Sequence, residues 1–313
     1  MNVKPGINDV LWMAAGAAAL LACMLVVLHF HKDHDPAAQL AFKARRVDLV
    51  ERMQLDLASA SEAEKSAVLA ITDQDSQTFA DLARAASAKV EQERRELEEL
   101  LATTGGTQGE RELLAQFAGS FAEFQRIDSE LLALAVQNTN LKAYSLAFGP
   151  AAGAIKEMNA SLSRLVAADT DSPEARSTML LAFGAQTSAL RLQTLLPPHI
   201  AEENDKKMDE LEARMATEDA QVHKSLDGLA ALSKFSHDPE LATARARYAE
   251  FSQIKTQILV LSRENTNVRS LSISLNQKRK AMLACQAALS DLQQAILAEP
   301  IAGVTYGTPV SPR

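Results

Sequence analysis

The chain has 313 residues and a net charge of −8, and 47% of it is hydrophobic but only 4% aromatic. Acidic and basic residues are interspersed with no basic stripe, which excludes nucleic acid as a partner. Glycine and proline are sparse, and Ala, Leu, Glu, Gln and Arg are abundant, so long helices are favoured over sheets; the two cysteines, Cys23 and Cys285, form no CxxC, which excludes thioredoxin-type redox chemistry and standard c-type haem attachment.

The first element is apolar. Between Val10 and Phe30 there is no charge and a single histidine, a length that spans a bilayer, with Trp12 near one edge as interfacial aromatics lie. A cleaved signal peptide needs a shorter apolar core followed by small residues, and "LHFHKDHD" offers no such site. "LLAC" at residues 20–23 has the look of a lipoprotein box, but Met24 to Leu28 continue apolar beyond it. The reading is an uncleaved, single-pass transmembrane anchor over residues 1–35. Lys32, Lys43, Arg45 and Arg46 follow it, and by the positive-inside rule they would hold the bulk of the chain in the cytoplasm. The cluster His29, His31, Asp33, His34 and Asp35 reads as a solvated collar at the headgroup boundary; the metal alternative would pair His31 with Asp35 on one helix face.

From Pro36 onward helical spacing dominates. Caps and breakers predict helices over 37–71, 77–102, 110–147, 151–168, 173–196, 200–234 and 239–298, with a loose tail over 299–313. "TTGGTQG", "DTDSPEA", "LPPH" and "FSHDPE" read as breaks, "TDQDS" as a turn or a polar kink, and "FGPA" as a break or a kink at Gly149 and Pro150. Ser172–Pro173 and Asp238–Pro239 each read as an N-cap followed by a proline at the first helical position. The fold class is all-α: a transmembrane helix and then tandem antiparallel bundles of four-helix type, one over 36–170 and one over 171–298.

The tandem reading comes from a repeat. "FAEFQRIDSELLALAVQNTNLKAYSLAF" aligns without gaps on "YAEFSQIKTQILVLSRENTNVRSLSISL", 127 residues later, and both contain Asn-Thr-Asn. In the first copy Phe124, Ile127, Leu131, Leu134, Asn138, Leu141, Ser145 and Phe148 follow steps of three and four, a bundle seam. Asn138 and Asn265 fall on that seam, where an unpartnered buried amide costs about 1–3 kcal/mol. Two readings follow. Either these residues lock helix register, or they line a ligand pocket between helices. Asn140 and Asn267 fall off the seam, toward solvent or a flanking helix.

No pattern of catalysis appears. HExxH, GxSxG and GxGxxG are absent, and "GGTQGE" lacks the Lys-Ser/Thr of a phosphate loop. His199 and His223 read as surface or capping residues. No catalytic residue, metal ligand or cofactor is predicted, and the chain is not read as an enzyme.

Three stretches, "EAEKSAVLAITDQDSQTFADLARA", "NTNLKAYSLAFGPA" and "NTNVRSLSISL", resemble the four-helix-bundle sensory module of methyl-accepting chemotaxis receptors. The resemblance implies a module outside the cytoplasmic membrane that senses a small molecule or a partner protein and relays to a cytoplasmic signalling region. It therefore places the bulk of this chain on the periplasmic side of the inner membrane, against the positive-inside rule. No second spanning segment, relay domain or methylated coiled coil is recognised, so the expectation is a membrane-tethered sensory bundle without its own output. Such a bundle would act through a homodimer or a signalling partner. The alternative is a structural or adaptor protein that binds a partner through its bundle surface.

Overall fold

The computed structural model describes residues 36–301. The expected transmembrane helix, the histidine–aspartate collar, Cys23 and nearly all of the tail lie outside the described residues. Within them ten α-helices follow one another, with no strand: α1 (Pro36–Leu69), α2 (Asp73–Thr103), α3 (Gln108–Ala135), α4 (Thr139–Leu146), α5 (Ala152–Ala168), α6 (Ala175–Ala201), α7 (Asp205–Ala231), α8 (Pro239–Glu264), α9 (Thr266–Ile273) and α10 (Arg279–Ala298). Two five-residue π-helical turns, Ala147–Ala151 and Ser274–Lys278, join α4 to α5 and α9 to α10. Among the described residues no helix is long and apolar enough to cross a membrane.

Most limits follow local chemistry. Asp238 accepts from the Glu240 and Leu241 N–H groups, with Pro239 behind it, as the cap-then-proline signal predicts. At the other such signal the Ser172 hydroxyl accepts from the Glu174 N–H, but the helix starts two residues beyond the proline, at Ala175. Gly105 takes φ +78°, the left-handed conformation that releases the chain from α2. Thr107 and Glu110 then form a capping box: the Glu110 N–H donates to the Thr107 hydroxyl, and the Thr107 N–H to the Glu110 carboxylate.

Some limits differ from the sequence reading. "LPPH" is not a junction: α6 carries Pro197 and Pro198 inside it and ends at Ala201, where Glu202 turns extended. Two adjacent prolines remove two donors, yet their fixed φ is a helical one. At "FGPA", read as a break or a kink, the chain stays helical through Pro150 by widening one turn. The helices predicted over 110–147 and 239–298 are each broken, at Asn138 and at Asn265.

Among the described residues the chain divides into two compact units, 36–58, 86–122 and 283–301 in one, and 59–85 and 123–282 in the other. The boundaries run inside α1, α2, α3 and α10, and both copies of the repeated motif belong to the second unit.

In the first unit four helical segments supply the core. Leu49, Val50, Met53 and Leu57 of α1 are buried with Val90, Leu97 and Leu101 of α2, Leu114, Phe117 and Phe121 of α3, and Leu289, Leu292 and Ile296 of α10. Each set has three–four spacing, the pattern of a four-helix bundle. Arg46 is buried there and donates to Glu110 and Glu299.

In the second unit the principal cluster comes from α4 to α8, with Met158, Leu162, Leu192, Leu196, Val222, Leu226, Tyr248 and Phe251 among its members. A further cluster joins Ala67 and Val68 to Ala80, Ala83, Leu131, Leu132 and Ala135. The many alanines let backbones approach closely, which explains how a chain so poor in aromatics fills its interior.

Candidate functional site

The two Asn-Thr-Asn segments meet in the second unit. Helix α3 ends at Ala135, and Asn138 takes φ 52°, ψ 36° before α4 begins; Asn265 takes φ 54°, ψ 37° between α8 and α9. They are the two non-glycine residues with positive φ among those described. Asparagine tolerates this left-handed region better than other side chains do, so the repeated residue marks a repeated break in a long helix.

A break exposes the first N–H groups of the next helix. Here each copy caps the other. The Thr139 N–H donates to Thr266 Oγ1 at 3.2 Å, and the Thr266 N–H donates to Thr139 Oγ1 at 3.1 Å. The Asn140 N–H donates to Asn267 Oδ1 and the Asn267 N–H to Asn140 Oδ1, both at 3.1 Å. The two threonine hydroxyls lie 3.1 Å apart. Asn140 Nδ2 donates to Asn265 Oδ1 at 2.7 Å, and Asn267 Nδ2 to Asn138 Oδ1 at 3.0 Å. These seven hydrogen bonds relate the copies by an approximate two-fold exchange.

The knot also grips its surroundings. Asn138 Nδ2 donates to Asp73 Oδ1 and to the Ser76 hydroxyl, each at 3.0 Å. This bond, with Lys142, holds the Asp73 carboxyl below its usual range. The end of α6 is held at three carbonyls. The Ile200 carbonyl accepts from Asn140 Nδ2 at 2.6 Å, the Glu202 carbonyl from Asn265 Nδ2 at 2.7 Å, and the His199 carbonyl from the Ser262 hydroxyl at 2.9 Å. Helix-end carbonyls have no intrahelical partner, so the motif completes a third helix as well as its own two.

His199 is fully buried, not the surface or capping residue expected; it sits in the last turn of α6. Its Nδ1 lies 2.8 Å from Ser262 Oγ and its Nε2 lies 2.9 Å from Glu212 Oε1. Burial pushes the imidazole below its ordinary value, against the pull of Glu212. Burial opposes ionisation of Glu212, but hydrogen bonds from Arg263 and His199 outweigh it and keep its carboxyl low.

Asn138 and Asn265 are thus both buried and both partnered. Asn140 is buried and Asn267 half-buried, where the seam placed them toward solvent or a flanking helix. The seam was read through an unbroken helix, and the left-handed residue rotates everything after it. Two grooves adjoin the motif in sequence. One is lined by Glu212, Thr256, Leu259, Val260, Arg263 and Glu264, the other by Glu130, Ala133, Leu134, Glu203, Arg269, Ser272 and Ile273; neither lining includes Asn138 or Asn265. Among the described residues no group of three or more His, Cys, Asp or Glu side chains is placed to hold a metal ion.

Among the described residues, an all-α arrangement with an interlocked helix break defines a bundle class. Comparison with known proteins adds a family match over part of the chain. Residues 54–175 match the family described as "Four helix bundle sensory module for signal transduction", so the resemblance to the chemotaxis-receptor module is found independently over that stretch. No curated protein matches the sequence. Among solved structures, the sensor domain of the V. parahaemolyticus histidine kinase sensor TorS is similar at 11% identity with a TM-score of 0.43, over 83% of this chain and 97% of that one.

Proposed function

We propose that this protein is a membrane-anchored sensory bundle whose input is a small molecule or a partner protein, and whose paired Asn-Thr-Asn loops carry the response. The sensory-module match over residues 54–175 is the observation that carries this reading. The span from Val10 to Phe30 supports the anchor, and the family's usual placement supports an extracytoplasmic bundle. In this reading the bundle works through a homodimer or a signalling partner.

Asn138 and Asn265 are the residues we assign to it. A ligand that engaged either amide would have to displace an existing hydrogen bond, because each is already bonded on both its oxygen and its nitrogen. The two residues therefore act as the latch that answers binding. Binding in a neighbouring groove shifts the latch through Arg263 or Arg269, which line the two grooves within four residues of Asn265.

A panel of small metabolites tests the sensory reading on the full-length chain in detergent. At least one compound raises the melting temperature, and Asn138→Gly or Asn265→Gly reduces that rise. A panel without effect counts against a small-molecule input. Protease access in intact cells compared with spheroplasts tests the orientation.

The second reading, an adaptor that binds a protein through its surface, is supported by one feature. Met179, Leu180, Phe183 and Leu190 are exposed along α6 at helical spacing.

A further inference from the structure

Glu64 on α1 is fully buried, and neither of its carboxylate oxygens has a hydrogen-bond partner. The groups that act on it are Ser274 and Lys278 at the two ends of the second wide turn, Asp128 on α3, and its chain neighbour Lys65. All lie in the second unit. Lys278 is itself buried and committed elsewhere: its ammonium pairs with Asp128, sits 3.5 Å from the Phe124 carbonyl oxygen and lies 3.2 Å from the centre of the Phe124 ring. Two buried carboxyl groups thus share one buried ammonium, and Asp128 holds it. A carboxylate without a partner in such a place is costly, and the ordinary outcome is that it takes up a proton. Burial does hold Glu64 above the usual carboxylate range, against the smaller opposing pulls of Ser274 and Lys278.

The turn that carries Ser274 and Lys278 has no explanation in its own sequence. Its counterpart 127 residues earlier, Ala147–Ala151, contains Pro150, which lacks an N–H and forces the helix to widen. Ser274–Lys278 contains no proline, and Lys278 stands where the first copy has Ala151. Wide turns are rare and gather at functional places. This one sets a lysine onto Asp128 across the interior.

We infer that Glu64 is a proton-binding site that governs the Ser274–Lys278 turn. With the proton bound, Lys278 stays on Asp128 and the wide turn is held. When the proton leaves, the Glu64 carboxylate competes with Asp128 for Lys278 and the turn loosens. The inference does not depend on what the bundle senses.

Hydrogen exchange on the full-length chain in detergent tests it, read as protection factors of residues 274–278 between about pH 5 and about pH 8, so that intrinsic exchange is already removed. Wild-type protection falls as pH rises, by up to about tenfold per pH unit, and Glu64→Gln keeps the low-pH protection throughout. Protection that does not change with pH in the wild type, or a Glu64→Gln variant that follows the wild type, overturns the inference. If Glu64→Gln does not fold, Ser274→Ala replaces it. Removing the hydroxyl that favours the ionised form moves the loss of protection to higher pH, and an unmoved midpoint overturns the inference.

Discussion

The hydroxyls of Thr139 and Thr266 lie 3.1 Å apart, and each accepts the backbone N–H of the other residue. Residues that hold the same place in two copies of a repeat are thus each other's cap. Thr139→Val removes the acceptor of the Thr266 N–H and costs about 1–3 kcal/mol, read by urea denaturation. Thr266→Val costs a similar amount. The double variant loses less than the sum by about 0.5–3 kcal/mol; strict additivity would mean that the pair is not coupled.

The backbone at Asn265 separates conformation from side-chain bonding. Asn265→Gly loses the amide but keeps easy access to the left-handed region. Asn265→Ala loses both, and is about 1–2 kcal/mol less stable than the glycine variant. Asn138 behaves in the same way. Equal stabilities for Gly and Ala would show that positive φ is not what these positions require.

Glu93, in the first unit, gives a pH dependence of its own. Burial, then the nearby Asp56, raise its carboxyl to about 7, and one of its oxygens is buried without a partner. A carboxyl whose folded value is raised contributes stability that is full below its unfolded value near 4.5 and lost as pH climbs through about 7. Glu93→Gln is therefore more stable than the wild type at pH above about 7 and loses this advantage in acid. Denaturation midpoints across that interval check it; a difference independent of pH would place the raised group elsewhere.

Arg46 is the charged hub of the first unit. It lies buried between Glu110 and Glu299, with Thr104 also within reach. Arg46→Met leaves Glu110 buried with no cation beside it and costs about 3–5 kcal/mol. Arg46→Met with Glu110→Leu recovers part of that loss. Thermal melts of the two variants decide, and a single variant as stable as the wild type would remove the hub.

Much of the architecture was readable because it rests on short-range rules. Asp238–Pro239 announced a helix start and delivered one, since a cap and its proline need only their own neighbours. The repeat was visible as sequence identity, and two of the three stretches that carry the resemblance to the sensory module lie within residues 54–175, which a family comparison also finds. The helix break at Asn138 was not readable, because apolar steps of three and four continue on both sides of it. Only the backbone angle betrays it, and its support comes from Thr266 and Asn267, which are distant in sequence. His199 was misplaced for a related reason. Its partners Ser262 and Glu212 come from two other helices, and the proline pair before it looked like the end of α6.

The mutual capping has a consequence for how such a chain can change over time. After an ancestral segment is doubled, the duplicates ordinarily drift apart and take on separate tasks. Here Thr139 and Asn140 complete the backbone of Thr266 and Asn267, and the reverse holds as well. Neither duplicate is at liberty to lose its tripeptide, so the shared letters are a debt each copy owes the other.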